Sequence, residues 1–186
     1  MPKKILLTFF FFFNIIETSS ASIKDQIINN LIKTNNLTFD FKQTINEKTE
    51  EGNCIIEYPK KIFCSYDNAL KKIIVSNGKS LVIKNRNNNQ YYHYPLNKTP
   101  LELILDKDYL INQILDLEEK IIENKYINFT LNKNNNEINI FFDKKTLNLT
   151  GWQTEDSYQN LVITYIYKVK KNIKINKNIF KIPKMN

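Results

Sequence analysis

Apolar residues alternate with polar ones in a succession of short segments, and this two-residue period constrains the fold more than any other feature. In the first segment Leu37, Phe39 and Phe41 occupy every second position. Because successive side chains of a β-strand point to opposite faces, such a segment has one apolar face. Similar segments follow at 52–58, 62–67, 72–77, 80–84, 90–94, 120–132, 137–143, 146–154, 158–170 and 179–182. The sequence therefore predicts one long antiparallel sheet.

Two regions have the longer period of a helix. The first starts at Ser22, which forms a predicted capping box with Asp25. The second runs between Thr99 and Leu117, with Pro100 at a first helical position. A sheet of this many strands usually curls, and helices then cover its open side. We therefore predict a mainly β (α+β) fold, in which a single curved antiparallel sheet forms an incomplete β-barrel with a helical lid.

The turn at Asn77-Gly78 is the sharpest in the chain. Both residues tolerate a positive φ, which the two central positions of a type I′ hairpin require. We expect that hairpin between the segments 72–77 and 80–84.

The N-terminus has the layout of a secretory signal peptide. Lys3 and Lys4 precede an apolar run over 5–16, and small polar residues lead to Ala21. A membrane-spanning helix needs roughly 20 apolar residues, so this run is too short for one. We expect a signal peptide over 1–21, a single mature domain over 22–186 and a periplasmic location. An uncleaved anchor is the alternative.

The formal net charge is +8 for the whole chain and +7 without its first 21 residues. A basic chain rich in Phe and Tyr suggests nucleic acid as a partner. The lysines are scattered, however, and export argues against that partner, so we expect no nucleic-acid binding. The charge favours anionic membrane surfaces and acidic proteins instead.

Residue types that carry catalysis are sparse. His93 is the only histidine, without cysteine or acidic residues at ligand spacing, whereas a zinc site needs three or four ligands. The three glycines lie too far apart to hold a phosphate. We expect no catalytic site, metal or cofactor, with a small hydrolase built on distant carboxylates as the remaining enzymatic alternative.

Cys54 and Cys64 are the only cysteines. They lie ten residues apart, on the two sides of the turn at Pro59 and with the same strand parity. In an oxidising compartment this arrangement favours a disulfide. The alternative is a pair of buried free thiols.

Several segments resemble, in order, the motifs of the LolA family of outer-membrane lipoprotein carriers. They are Phe41-Lys42-Gln43, the hairpin 52–67 with Tyr58-Pro59-Lys60-Lys61-Ile62 at its centre, the turn 74–79, the helix 99–105, and the pieces 149–152 and 180–183. Tyr58 stands where the family commonly has Arg, a residue associated with hydrogen bonds to the lid. This departure bears on control of the lid more than on the fold.

The resemblance implies an incomplete barrel whose hydrophobic cavity holds the acyl chains of lipoproteins. Such a carrier takes its cargo from an inner-membrane ABC transporter and gives it to an outer-membrane acceptor; we expect it to act as a monomer. The candidate cavity residues are Phe39, Phe41, Ile56, Tyr58, Ile62, Tyr66, Leu81 and Ile83. The candidate lid residues are Ile27, Leu31, Leu101, Ile104 and Leu105.

Each of these assignments has an alternative. Buried strands have the same alternation whether or not a ligand fits between them, so the cavity residues are equally those of a closed core. The helix at 101–105 is either a lid or a permanent cover. A periplasmic binding or sensor protein for another amphiphile is the alternative function.

Overall fold

The computed structural model describes residues 21–88, 90–133, 136–156 and 158–184. The predicted signal peptide thus lies, apart from Ala21, outside the described residues. Within them, eleven strands form one sheet. The strands are β1 Asn36–Ile45, β2 Lys48–Glu57, β3 Lys61–Tyr66, β4 Lys72–Asn77, β5 Ser80–Asn85, β6 Tyr91–Pro95, β7 Lys120–Ile122, β8 Tyr126–Lys133, β9 Asn136–Asp143, β10 Leu149–Glu155 and β11 Leu161–Lys171.

The sheet is antiparallel throughout and is not closed. Its strand order is β6-β5-β4-β3-β2-β1-β11-β10-β9-β8-β7, which leaves β6 and β7 as the two edges. The first and last strands along the chain meet at its centre, where Phe41 of β1 lies opposite Ile166 of β11. The predicted single curved sheet is confirmed.

Three α-helices accompany the sheet within the described residues: α1 Ile23–Ile32, α2 Glu102–Leu105 and α3 Lys107–Asp116. The predicted capping box of α1 is present, because the Ser22 side chain accepts a hydrogen bond from the backbone N–H of Asp25 and Asp25 bonds back to Ser22. Asp106 caps α3 by accepting from the backbone N–H of Tyr109. Both predicted helical regions are therefore confirmed.

The helices cover the concave side of the sheet in two parts. Helices α1 and α3 pack on each other and reach the part of the sheet beyond β11. Asn30 donates a hydrogen bond to the carbonyl of Leu147 in the turn before β10, and the Tyr109 hydroxyl donates to the carbonyl of Asn132 in β8. The second part is a short 3-10 helix, Leu96–Lys98, followed by α2. We call residues 96–105 the cover segment.

Three details differ from the sequence prediction. The segment 120–132 is two strands, because Glu123 and Asn124 take positive φ angles of 50° and 53° and turn the chain between β7 and β8. The segment 179–182 is not a strand: a 3-10 helix covers Lys177–Phe180, and Phe180 is buried outside the sheet beside Lys61 of β3.

The third difference concerns the hairpin between β4 and β5, which is present but not of type I′. Of the residues in this turn, only Gly78 has a positive φ, of 99°. The Asn77 side chain instead accepts hydrogen bonds from the backbone N–H groups of Lys79 and Ser80. An asparagine can thus close a turn through its side chain rather than through its own backbone angle.

Among the described residues, no helix has both the length and the apolar character that crossing a membrane requires.

Candidate functional site

A pocket of about 490 Å³ lies between the concave face of the sheet and the cover segment. Its wall is mainly apolar and comes from distant parts of the chain, including β1, β3, β4, β5, β10 and β11. The apolar lining residues are Phe41, Ile45, Ile62, Ile74, Leu81, Ile83, Tyr94, Pro100, Leu101, Ile104, Ile138, Trp152 and Val162. Its size lies in the range of roughly 300–1,000 Å³ that is usual for small-molecule sites.

The structure brings together a large part of the predicted site residues. The predicted cavity residues Phe41, Ile62, Tyr66, Leu81 and Ile83 and the predicted lid residues Leu101 and Ile104 all line the pocket.

The other predicted residues lie outside its wall. Phe39 and Ile56 face the buried core, and Tyr58 packs against that core at the turn before β3. Ile27 and Leu31 are buried in α1, and Leu105 is buried at the end of α2. The pocket thus occupies only one part of the apolar concave face.

Phe41 owes its position in the pocket wall to Gly52 on the neighbouring strand. The two residues are register partners, and a Cβ at position 52 would lie 3.0 Å from the Phe41 ring and 2.1 Å from the carbonyl oxygen of Ser65. Without that Cβ, the ring packs edge-on against Tyr66, with 4.8 Å between the ring centroids. A glycine therefore makes room for the aromatic pair at the pocket wall.

A disulfide joins Cys54 of β2 to Cys64 of β3, which are register partners. Both residues line the pocket, so the bond ties together two strands of its wall.

One end of the pocket is polar. The Tyr66 hydroxyl donates to Gln43 Oε1 at 3.1 Å, and Gln43 Nε2 donates to Thr164 Oγ1 at 3.0 Å. The Lys72 ammonium lies 3.8 Å from the Tyr66 ring centroid and forms an ion pair with Glu50. Burial, together with the Glu50 carboxylate, raises the pKa of Tyr66, so its hydroxyl stays protonated.

We call Tyr66, Gln43 and Thr164 the polar triad. From the sequence, Tyr66 was expected to have only an apolar role, Gln43 was noted only as part of the Phe41-Lys42-Gln43 motif, and Thr164 was not singled out. A signal was nevertheless present, because both residues continue the inward-facing parity of their strands, Gln43 after Phe41 and Thr164 before Ile166.

Lys60, in the turn between β2 and β3, holds the cover segment. Its ammonium lies 3.1 Å from Glu102 Oε1 and 2.9 Å from Asp106 Oδ2, and its backbone N–H donates to the carbonyl of Leu105. The hydrogen bond to Asp106 is the main reason why the pKa of Lys60 is raised. The Glu102 side chain is only 7% exposed and that of Lys60 is 32% exposed, so the carboxylate is shielded from water while the ammonium remains partly hydrated.

Tyr58 does not take over the lid contacts that the resemblance associates with Arg at this position. Its hydroxyl is buried and has no hydrogen-bond partner among the described residues. Burial raises its pKa. Its ring faces the Lys107 ammonium of α3 at 5.6 Å. The polar contact to the cover segment thus comes from Lys60, two residues further on.

Within the described ranges, no group of three or more His, Cys, Asp or Glu side chains is arranged so that it could hold a metal ion.

The described residues thus form an open antiparallel sheet with an apolar pocket beneath a short helical cover. The sequence matches the family model described as "Outer membrane lipoprotein carrier protein LolA" over residues 32–183. The chain belongs to this family. No curated protein matches it.

Solved structures share the fold at low identity. An uncharacterized conserved protein from Thermus thermophilus has a TM-score of 0.52 and 9% identity, covering 87% of this chain and 93% of its own. A domain assigned to outer-membrane lipoprotein sorting, from Vibrio parahaemolyticus, has a TM-score of 0.50 and 6% identity, covering 84% and 94%. A LolA superfamily protein from Nitrosomonas europaea has a TM-score of 0.48 and 8% identity, covering 87% and 98%.

Proposed function

We propose that this protein is a periplasmic carrier that binds the acyl chains of lipoproteins in the pocket and moves them from the inner to the outer membrane. It receives its cargo from an inner-membrane ABC transporter and gives it to an outer-membrane acceptor. Residues 1–21 direct its export as a signal peptide and are then cleaved. The mature protein acts as a monomer and performs no catalysis. The family membership and the described domain support this proposal.

The observation that carries the proposal is the apolar pocket under the cover segment. An acyl chain gains about 0.8 kcal/mol for each methylene that it moves out of water. The pocket offers it aliphatic and aromatic walls from Phe41, Leu81, Ile104 and Trp152. A chain bound there is shielded from water during passage between two membranes.

The cover segment is the lid of this carrier. Leu101 and Ile104 form the wall of the pocket that lies opposite the sheet. Movement of the cover segment away from the sheet therefore opens the pocket. The segment has only a three-residue 3-10 helix and a four-residue α-helix, and no sheet strand. Its α-helix is buried on the core, but short elements that make few backbone hydrogen bonds to their neighbours open more readily than the strands of a sheet. The Lys60 ion pairs then set how firmly the lid is closed.

The test is a transfer assay with purified mature protein. Bound material is identified by mass spectrometry after mild extraction, and the loaded protein is then mixed with outer-membrane vesicles. Co-purified acylated peptide that moves to the vesicles is the expected result. Recovery of a different amphiphile, with no transfer of acylated peptide, would favour the binding or sensor function. Release of free fatty acid from an acylated peptide would indicate a hydrolase.

A further inference from the structure

The polar triad has more hydrogen-bond donors than the protein uses. One tyrosine hydroxyl, one amide NH₂ and one threonine hydroxyl together carry four donor hydrogens. The triad has two hydrogen bonds, Tyr66 to Gln43 and Gln43 to Thr164. Two donor hydrogens therefore have no acceptor among the described residues. Rotating the amide of Gln43 leaves this number unchanged, because each bond still uses one hydrogen.

These donors are at the pocket rather than in open solvent. All three residues line it; Thr164 and Tyr66 are only 3% and 4% exposed, and Gln43 is half-buried. A buried donor without an acceptor costs free energy. An acceptor oxygen supplied by a ligand removes that cost, while the aliphatic remainder of the same ligand fits the apolar wall.

We infer that the polar triad is a subsite for the carbonyl oxygen of an acyl group, which fixes the polar end of the bound chain while its hydrocarbon lies along the apolar wall. This inference rests on the proposed function and specifies how its ligand is oriented. The triad offers neutral donors, and the nearby Lys72 charge is paired with Glu50. The subsite therefore recognises an acyl oxygen without requiring a negative charge.

The triad also explains why a sheet with an apolar concave face keeps polar side chains there. Gln43 and Thr164 are register partners on β1 and β11, the two central strands. Val162 and Ile166 flank Thr164 on the same face. A core that only needed to be filled would be served by apolar residues at these positions, since imperfectly paired polar groups weaken a core.

The experiment compares three ligands of equal chain length: palmitic acid, methyl palmitate and the corresponding hydrocarbon. Each displaces a fluorescent fatty acid from wild-type protein and from Thr164→Val and Gln43→Leu. Thr150→Val is the matched control, because Thr150 is a strand threonine on β10 that donates to the backbone carbonyl of Phe141 and does not line the pocket. The carbonyl stretching frequency of methyl palmitate reports the hydrogen bond directly.

We expect Thr164→Val and Gln43→Leu each to weaken binding of the ester and the acid by about three- to tenfold, the effect of one net hydrogen bond. Hydrocarbon binding should not change, and Thr150→Val should bind all three ligands like the wild type. The wild type should shift the ester carbonyl to lower frequency, and the triad variants should reverse that shift. Similar losses for ester and acid indicate a carbonyl subsite; a loss for the acid alone would overturn it in favour of a carboxylate site.

Two further outcomes separate this inference from the proposed function. Equal losses for ester and hydrocarbon, or an unshifted carbonyl in the wild type, would overturn the subsite while leaving acyl-chain binding in place. Failure of the wild type to bind any of the three ligands would overturn the proposed function and the subsite with it. Thermal unfolding of each variant identifies changes that come only from a damaged fold.

Discussion

The two parts of the concave face have the same sequence pattern but different packing. Phe129 and Phe142, on β8 and β9, are at most 1% exposed and pack edge-to-face with 6.1 Å between their centroids, away from the pocket wall. Phe41, on β1, has the same inward parity and also has little exposed surface, yet it lines the pocket.

The difference comes from the cover. The closed part has two ten-residue helices, α1 and α3, which bury Ile27, Leu31, Leu110 and Ile114. The pocket part has the cover segment, whose α-helix is only four residues long. An apolar strand face thus becomes core or pocket according to how much helix lies over it.

Phe129→Ala and Phe41→Ala should show the largest difference between the closed part and the pocket part. Deleting a buried Phe side chain costs about 3–5 kcal/mol of unfolding free energy where the surroundings cannot collapse. We expect this full loss for Phe129→Ala, with unchanged affinity of the remaining folded protein for acylated peptide. Phe41 is buried to the same extent, so Phe41→Ala should cost a comparable amount of stability, but it should also weaken binding more than tenfold because Phe41 lines the pocket.

Chemical denaturation and binding of a fluorescent acylated peptide, measured on the same samples, provide the two readouts. Equal loss of stability in both variants, with affinity unchanged in both, would mean that the pocket is ordinary core.

Removing the disulfide should be the next largest effect and should be greatest in the pocket part. Cys54 and Cys64 close a short loop, and a crosslink of this kind stabilises by roughly 3 kcal/mol under the chain-entropy account. We expect Cys54→Ser together with Cys64→Ser to lower the unfolding free energy by that order. Hydrogen exchange should rise in β2 and β3 more than in β8 and β9. A uniform rise in all strands would contradict a local role.

Lys60→Met tests whether the Lys60 ion pairs keep the cover segment in place. The change leaves the nearly buried Glu102 carboxylate without this cation, and we expect a local cost of about 1–2 kcal/mol. Hydrogen exchange over 96–105 should accelerate while α1 and α3 keep their protection. Lys61→Met is the matched control, because Lys61 pairs with Glu57 in the same hairpin but away from the cover segment.

The pH dependence of this hold has a definite sign. Because the folded state raises the pKa of Lys60, the ion pairs contribute fully below the ordinary lysine value of about 10.4 and are lost only as the pH rises through the raised value. If hydrogen exchange over 96–105 in wild-type protein at neutral pH were as fast as in Lys60→Met, the ion pairs would not keep the cover segment closed.

The sequence predicted strands and helix starts because those depend on local pattern. Alternation in β1 and the capping box at Ser22 are visible in a few residues. The break at Glu123 and Asn124 is less visible, because Asn124 is a turn-forming residue but Glu123, which also takes a positive φ, is not. Phe180 has the alternation of a strand residue but packs outside the sheet as part of a 3-10 helix.

The pocket was predicted less completely than the fold. Which inward-facing residues line it depends on the length of the cover segment and on where it crosses the sheet, and both are set by contacts distant in sequence. Phe39 and Phe41 are two residues apart on the same face, yet only Phe41 reaches the pocket. Likewise, Lys60 contacts the cover segment because α2 ends beside it. The two-residue period of the strands gives no information on where α2 ends.

The smallest expected effect is that of Tyr58→Phe, which distinguishes Lys60 from Tyr58 as the residue that holds the lid. The Tyr58 hydroxyl is buried without a partner among the described residues, so its removal breaks no hydrogen bond and relieves a desolvated polar group. We therefore expect unchanged stability or a gain of up to about 1 kcal/mol, with exchange over 96–105 as in the wild type. The ring itself stays beside Lys107, so packing against α3 is retained. A lid loosened as much as by Lys60→Met would show that Tyr58 has the role the family gives to Arg.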